Sequence, residues 1–144
     1  MFHAVFFGVV LLDQLTKFLA LRLLHETGGI PVIPHIFHLT LVHNTGIAFG
    51  FFRQHPSILL ILISMSLLLL FFWGCWKTNF SSPQRFALAL ILGGAVGNWV
   101  DRLRFGAVID FLDFRVWPVF NIADSAITLG VAIFAVLLLK KKSL

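Results

Sequence analysis

The sequence has little sulfur chemistry and few charges, with one cysteine, six acidic residues and no tyrosine. A single cysteine, Cys75, excludes an intrachain disulfide and a cysteine-based metal cluster. Cys75 lies between Trp73 and Trp76 with no histidine or acid close in sequence, so a core or interfacial thiol is a better interpretation than a nucleophile. The basic residues are scattered, apart from Lys140–Lys142, so the net charge of +5 does not indicate nucleic-acid binding.

Apolar residues dominate the sequence. They make up 59% of the 144 residues, and the mean hydropathy is +0.97. A soluble domain of this size has too much surface to bury them all, whereas lipid accepts them. Asp13 and Lys17 interrupt the first apolar run, and no basic segment precedes it. We therefore expect this run to remain as a helix and not to be a cleaved signal peptide.

The hydropathy pattern predicts an all-α membrane protein with one domain over residues 1–144. Four segments, at about 4–24, 57–76, 86–103 and 123–140, are long enough to span a bilayer. Residues 77–85 form a short polar connection, whereas 25–56 and 102–122 are long and therefore expected to be functional. The β-branched stretch 33–42 predicts one or two strands.

Both long connections follow an odd-numbered helix, so they share one side of the membrane. The basic residues divide evenly between the two sides, but Lys140–Lys142 directly adjoin a helix end. We therefore expect both termini in the cytoplasm and both long loops outside it.

Three of the six acids fall in or at the ends of predicted spans, where an ionisable group is a functional candidate. Asp13 has a structural explanation, because Lys17 is four residues later on the same helical face. Asp101 ends the third helix and Asp124 begins the fourth, so both lie at one membrane face. Two nearby carboxyl groups share a proton, and one then acts as a base and the other as an acid.

Two structural explanations compete with this acidic pair. Asp124 is suited to cap a helix N-terminus, and Asp101 has Arg102 beside it. An asparagine precedes each aspartate by three residues, Asn98 and Asn121, and its amide can orient a carboxyl group or polarise a carbonyl. Residues 93–97 form a small-residue face that lets a helix or peptide approach closely, and these surroundings favour a site.

Four blocks of this sequence resemble those of signal peptidase II, the bacterial lipoprotein signal peptidase family of membrane aspartyl proteases. They occur in the family order: DQLTK (13–17), NTGIAFG (44–50), GGAVGNWVDR (93–102) and FNIADS (120–125). The resemblance implies Asp101 and Asp124 as the catalytic pair. It implies substrate-binding or supporting roles for Asn44, Gly46, Asn98, Arg102, Asn121, Asp13 and Lys17.

The resemblance also implies the substrate and the setting. The implied substrate is a diacylglyceryl-modified prolipoprotein, which is cut just before its lipidated cysteine at the periplasmic face of the inner membrane. No metal or cofactor is implied, and we expect the enzyme to be a monomer. The family's outer loop holds a small sheet and a mobile helix, which match residues 33–42 and 106–118. Interfacial aromatics such as Phe114 and Trp117 suit either a lid or a membrane anchor.

Two other functions remain as alternatives. A small proton-coupled transporter needs an acid near mid-membrane, for which Asp13 is the candidate, but Lys17 neutralises it and the long loops are unexpected. A non-catalytic assembly factor would use the small-residue faces. Neither alternative explains why the Asn-x-x-Asp spacing occurs twice at one membrane face.

Overall fold

The fold is taken from a computed structural model, which describes residues 1–26, 29–45 and 80–142 and five single residues between them. These five are helical, and they are Leu62, Met65, Ser66, Leu69 and Trp73. Most of the predicted second helix, together with Gly46 and Cys75, lies outside the described residues.

Three helices in the described part of the chain are long and apolar enough to cross a membrane. They are α1 (Phe2–Leu24), α2 (Ser82–Phe105) and α3 (Ile122–Lys142). Helix α1 has a polar inside and an apolar outside: Asp13 and Lys17 are buried, whereas Leu11 is 69% exposed. Such exposure of large apolar side chains fits lipid as the surrounding medium.

Helix α2 begins one turn earlier than predicted, because its N-terminus is built from the polar connection. The Ser81 backbone N–H donates to Gln84 Oε1 at 2.9 Å in a capping box, and Pro83 occupies the first turn. The helix ends at Gly106, whose φ of +68° is left-handed and whose N–H donates to Arg102 O.

The small-residue face predicted at 93–97 is where α2 meets α1 and α3. A Cβ on Gly93 would lie 3.0 Å from the Phe6 carbonyl oxygen of α1. A Cβ on Gly94 would meet the carbonyl oxygen of Ala123 at the start of α3. Side chains larger than hydrogen would therefore separate the three helices at this level.

A three-stranded antiparallel sheet, ordered β1-β2-β3, lies beside the helix ends. Strands β1 (Ile30–Ile33) and β2 (Phe37–Asn44) confirm the prediction of strands in the first long connection, although they extend beyond 33–42. Strand β3 (Val108–Asp113) shows that the prediction for the second long connection was wrong. Residues 102–122 were expected to be a loop with a mobile helix, but their centre pairs with β2 because consecutive buried residues need partners for their backbone groups.

The sheet is fixed to the helices by a small apolar core. Phe111 of β3 packs with Ala20 and Leu24 at the end of α1, and partly buried residues surround them. This packing holds β3 against α1 and against α2, with Asp110 of β3 buried.

Candidate active site

Asp101 lies in a closed ionic cluster. Its Oδ2 is 2.7 Å from Lys17 Nζ and accepts the backbone N–H of Ile109 at 3.1 Å, while its Oδ1 accepts Gln14 Nε2 at 2.9 Å. The side chain is fully buried. The competing explanation, a pairing of Asp101 with Arg102, is therefore wrong, because Lys17 is the ion-pair partner and both carboxylate oxygens of Asp101 have strong partners.

The predicted pair of Asp13 and Lys17 is confirmed and belongs to the same cluster. Lys17 Nζ lies 2.8 Å from Asp13 Oδ2, and the other Asp13 oxygen accepts the backbone N–H of Ala123 at 2.9 Å. One ammonium group thus faces two buried carboxylates. The cluster joins α1 to α2 directly and to α3 through the Ala123 amide.

Asp124 lies in the first turn of α3, but it is not the capping residue. Asn121 Oδ1 accepts the Asp124 backbone N–H at 2.9 Å, so Asn121 caps the helix. The capping explanation for Asp124 is therefore wrong, and its carboxylate is available for other contacts. Its Oδ1 accepts Asn98 Nδ2 at 2.7 Å.

Asp110, an acid not included among the predicted site residues, lies close enough for the charge of Asp124 to act on it. Asp110 is 1% exposed. Its Oδ1 accepts Asn121 Nδ2 at 2.7 Å and its Oδ2 accepts Asn44 Nδ2 at 3.0 Å. Three predicted supporting residues, Asn44, Asn98 and Asn121, therefore bind Asp110 or Asp124.

Burial raises the pKa of Asp110 from 3.8 to about 6, and the negative charge of Asp124 adds to the rise. The hydrogen bonds from Asn44 and Asn121 act in the opposite direction, because they stabilise the ionised carboxylate. A carboxyl group with such a pKa keeps its proton through mildly acidic pH and can exchange it near neutrality.

Arg102 lies at the edge of this group. Its guanidinium donates to the Asn98 carbonyl oxygen at 3.3 Å, and the charges of Asp124, Asp110 and Asp101 all act on it. The structure thus brings the predicted residues of α1, α2, α3 and β2 into one polar cluster. Gly46 is the predicted site residue that falls outside the described residues.

A cleft of about 610 Å³ opens beside Asp124. Apolar and aromatic side chains form most of its wall, with Ser125 and Thr128 near the aspartate. The full lining is Phe114, Trp117, Phe120, Asp124, Ser125, Thr128, Leu129 and Ala132. The two aromatics singled out in the sequence therefore line the approach to an acidic group.

Sequence reasoning missed Asp110 because residues 102–122 were interpreted as a loop. A usable signal was present, since Asp110 stands within the run AVIDFLD (107–113), which is otherwise apolar up to its last residue. An acid inside a buried strand is unusual and requires partners. Two interacting carboxyl groups, held by amides and with one of them at an apolar cleft, fit the arrangement of an aspartic peptidase, here within a bundle of apolar helices.

Comparison with known proteins agrees with this class. The family model described as "Signal peptidase (SPase) II" matches residues 5–140. A lipoprotein signal peptidase of Halothermothrix orenii is 43% identical over 135 residues, which cover 92% of this chain and 91% of that protein. The lipoprotein signal peptidase of Caldanaerobacter subterraneus subsp. tengcongensis is 45% identical over 134 residues, 92% of each chain.

A solved structure has the same fold. It is a bacterial membrane enzyme determined by the in meso method at 2.3 Å resolution, with a TM-score of 0.88 and 31% sequence identity. The match covers 99% of this chain and 89% of that one. The chain belongs to the signal peptidase II family. It is an aspartic peptidase of the membrane that removes signal peptides from prolipoproteins.

Proposed function

We propose that Asp110 and Asp124 form the catalytic pair, with Asp101 in a supporting role. The observation that carries this proposal is the difference in surroundings. Both oxygens of Asp101 are bound by Lys17, Gln14 and a backbone amide, whereas Asp110 interacts with the charge of Asp124 near the cleft. The pairing of Asp101 with Asp124 stays a competing prediction from the sequence.

In the proposed reaction, the Asp124 carboxylate accepts a proton from a water molecule as the water oxygen attacks the scissile carbonyl carbon. The Asp110 carboxyl group gives its proton to the leaving amide nitrogen as the C–N bond breaks. The pair begins and ends with one proton, which has moved from Asp110 to Asp124. Return of the proton to Asp110 completes the cycle.

The apolar cleft supports the proposal that the substrate is diacylglyceryl-modified and is cut just before the lipidated cysteine. Its aromatic and aliphatic wall suits acyl chains, and Asp124 at the cleft suits a bond near the headgroup level, where water is available. The expected result is rapid cleavage of the lipidated precursor and little cleavage of the same precursor without lipid. Equal rates on the two precursors would contradict this assignment.

We further propose that the chain acts as a monomer with both termini in the cytoplasm and the site at the periplasmic face of the inner membrane. The lysine run after the apolar part of α3 supports this orientation. Labelling of single cysteines placed near residue 36 and at the C-terminus, in intact cells and in lysed cells, measures it directly. A reagent that cannot cross the membrane should reach the first position in intact cells and the second only after lysis.

The catalytic pair is tested with three single variants, Asp110→Asn, Asp124→Asn and Asp101→Asn, purified in detergent and assayed on a lipidated precursor. The first two should lose about 10²–10⁴-fold in kcat, the usual contribution of an acid–base group. Asp101→Asn should lower thermal stability but retain measurable turnover per folded molecule. If Asp110→Asn kept its activity and Asp101→Asn lost it, the pair would be Asp101 and Asp124.

A further inference from the structure

The amide of Asn98 lies between a buried cation and Asp124. Lys17 Nζ donates to Asn98 Oδ1 at 2.9 Å, and Asn98 Nδ2 donates to Asp124 Oδ1 at 2.7 Å. Lys17 is 2% exposed and Asn98 is 8% exposed, so both bonds form largely out of contact with water. A continuous path of two hydrogen bonds therefore connects the ionic cluster of α1 to the carboxylate on α3.

The Asn98 oxygen accepts a second donor, Asn121 Nδ2, at 3.0 Å. An amide whose oxygen binds a cation and another donor has a more acidic N–H, because hydrogen bonds in a chain polarise one another. That N–H donates more strongly to an ionised carboxylate than to a neutral carboxyl group.

We propose that Lys17 is a positioning residue for catalysis, which acts through the Asn98 amide to orient the Asp124 carboxylate and keep it ionised as the base. This inference rests on the proposed pair of Asp110 and Asp124. The proposal explains why the two carboxyl groups of the pair differ in role. Asp124 accepts from the Asn98 amide that Lys17 polarises, whereas Asp110 lies in β3 and has no such contact with Asn98 among the described hydrogen bonds.

The proposed path opposes the direct effect of the cluster's charge. Lys17 carries one positive charge, and Asp13 and Asp101 carry one negative charge each, so the cluster has a net charge of −1 by this count. Acting through space, a net negative cluster disfavours an ionised Asp124. Acting through the amide, Lys17 favours it, so the two effects have opposite signs.

Other charged groups also face Asp124 and must stay in place during a test. They include Asp110 on β3 and Arg102 on α2, whose electrostatic interactions involve the Asp124 charge. A variant that neutralises Asp13, Lys17 and Asp101 and leaves Asp110 and Arg102 unchanged isolates the effect of this cluster.

The test is the triple variant Asp13→Asn/Lys17→Met/Asp101→Asn, which replaces the cluster with neutral groups of similar size and leaves no unpaired buried charge. The measurement is the pH dependence of kcat/KM on a lipidated precursor in detergent, with the variant's folded fraction measured by thermal unfolding. We expect the pH at half-maximal activity on the acid side to rise by on the order of half to one unit. An unchanged or lower value would overturn the proposal, because a purely structural role changes the folded amount and not this pH.

Asn98→Leu removes the path itself while keeping the side-chain volume similar. It should raise the same half-maximal pH, and adding the triple substitution should produce no further rise. A full additional rise would show that the cluster acts by another route. Asp113→Asn, an acid outside the site, is the charge-changing control and should leave the acid side of the profile unchanged.

The failure of this inference can be told apart from the failure of the catalytic pair. If Asp110→Asn remains active, the pair is wrong whatever the pH profiles show. If Asp110→Asn and Asp124→Asn are both inactive while the triple variant keeps the wild-type acid side, the pair stands and the role of Lys17 falls.

Discussion

Asp110→Asn should stabilise the protein at neutral pH while it removes activity. In the folded state burial and the Asp124 charge raise the pKa of Asp110 from 3.8 to about 6, so folding favours its protonated form. Between these two values the unfolded chain has lost the proton and the folded chain holds it, so stability falls as pH rises. Asparagine does not ionise and is free of this loss.

The magnitude follows from the difference of about two pKa units. At 1.36 kcal/mol per unit, the ionisable carboxyl group destabilises the fold by up to about 3 kcal/mol above pH 6. Asn44 and Asn121 donate to the two oxygens of Asp110, whereas asparagine offers one acceptor oxygen. The variant therefore loses about 1 kcal/mol of this gain through one weakened hydrogen bond. The net gain at neutral pH is therefore about 2 kcal/mol, or several degrees in Tm.

Thermal unfolding in detergent, followed by intrinsic tryptophan fluorescence between about pH 4.5 and 7.5, measures this effect. The Tm of the variant minus that of the wild type should increase with pH by the equivalent of about 2 kcal/mol. The same comparison for Asp101→Asn should show a loss of stability, because that carboxylate is bound by a buried ammonium group. A Tm difference that stays constant with pH for Asp110→Asn would refute the reasoning.

Three further substitutions test other contacts. Gly97→Ala places a Cβ against the buried carboxylate of Asp13 and should destabilise the protein by about 3–5 kcal/mol in thermal unfolding. The control Gly8→Ala, with open space around its Cβ, should have little effect. Asn44→Ala removes a bond that lowers the pKa of Asp110, so the alkaline side of the activity profile should move to higher pH; a move to lower pH would contradict this. Asp113→Asn should lower Tm near neutrality, because the Arg115 backbone N–H holds the pKa of Asp113 below 3.8. The loss of Tm should shrink as the pH falls below 3.8, where the wild-type carboxylate takes up its proton. A loss that stays constant with pH would show that the charge of Asp113 does not stabilise the fold.

The hydropathy pattern predicted the spanning helices of the described part of the chain to within about one turn. Helix α1 begins at Phe2 where the pattern gave about 4, and α2 begins at Ser82 where it gave about 86. The second difference has a local cause, because the Ser81–Gln84 capping box lets polar residues continue an apolar helix. The paired Asp13 and Lys17 were also predictable, since a four-residue spacing brings them onto one face.

The partner of each carboxyl group was not predictable from spacing. The repeated Asn-x-x-Asp pattern suggested that each asparagine serves the aspartate three residues later. In the structure Asn98 reaches across to Asp124, and Asn121 binds Asp110 on β3. Contacts between elements depend on how the sheet packs on the helix ends, and local periodicity carries no information about that packing.

The ionic cluster of Asp13, Lys17 and Asp101 also has a consequence for how the protein assembles in the membrane. Within α1 the buried acid and base pair with each other, and Arg22 lies in the last turn, whereas the buried acid of α2 finds its cation on α1. An α2 that associates with the wrong helix leaves this carboxylate without its cation in a medium that penalises it. Correct helix association is thereby coupled to order at Asn98, so a partly inserted chain lacks an organised protease site.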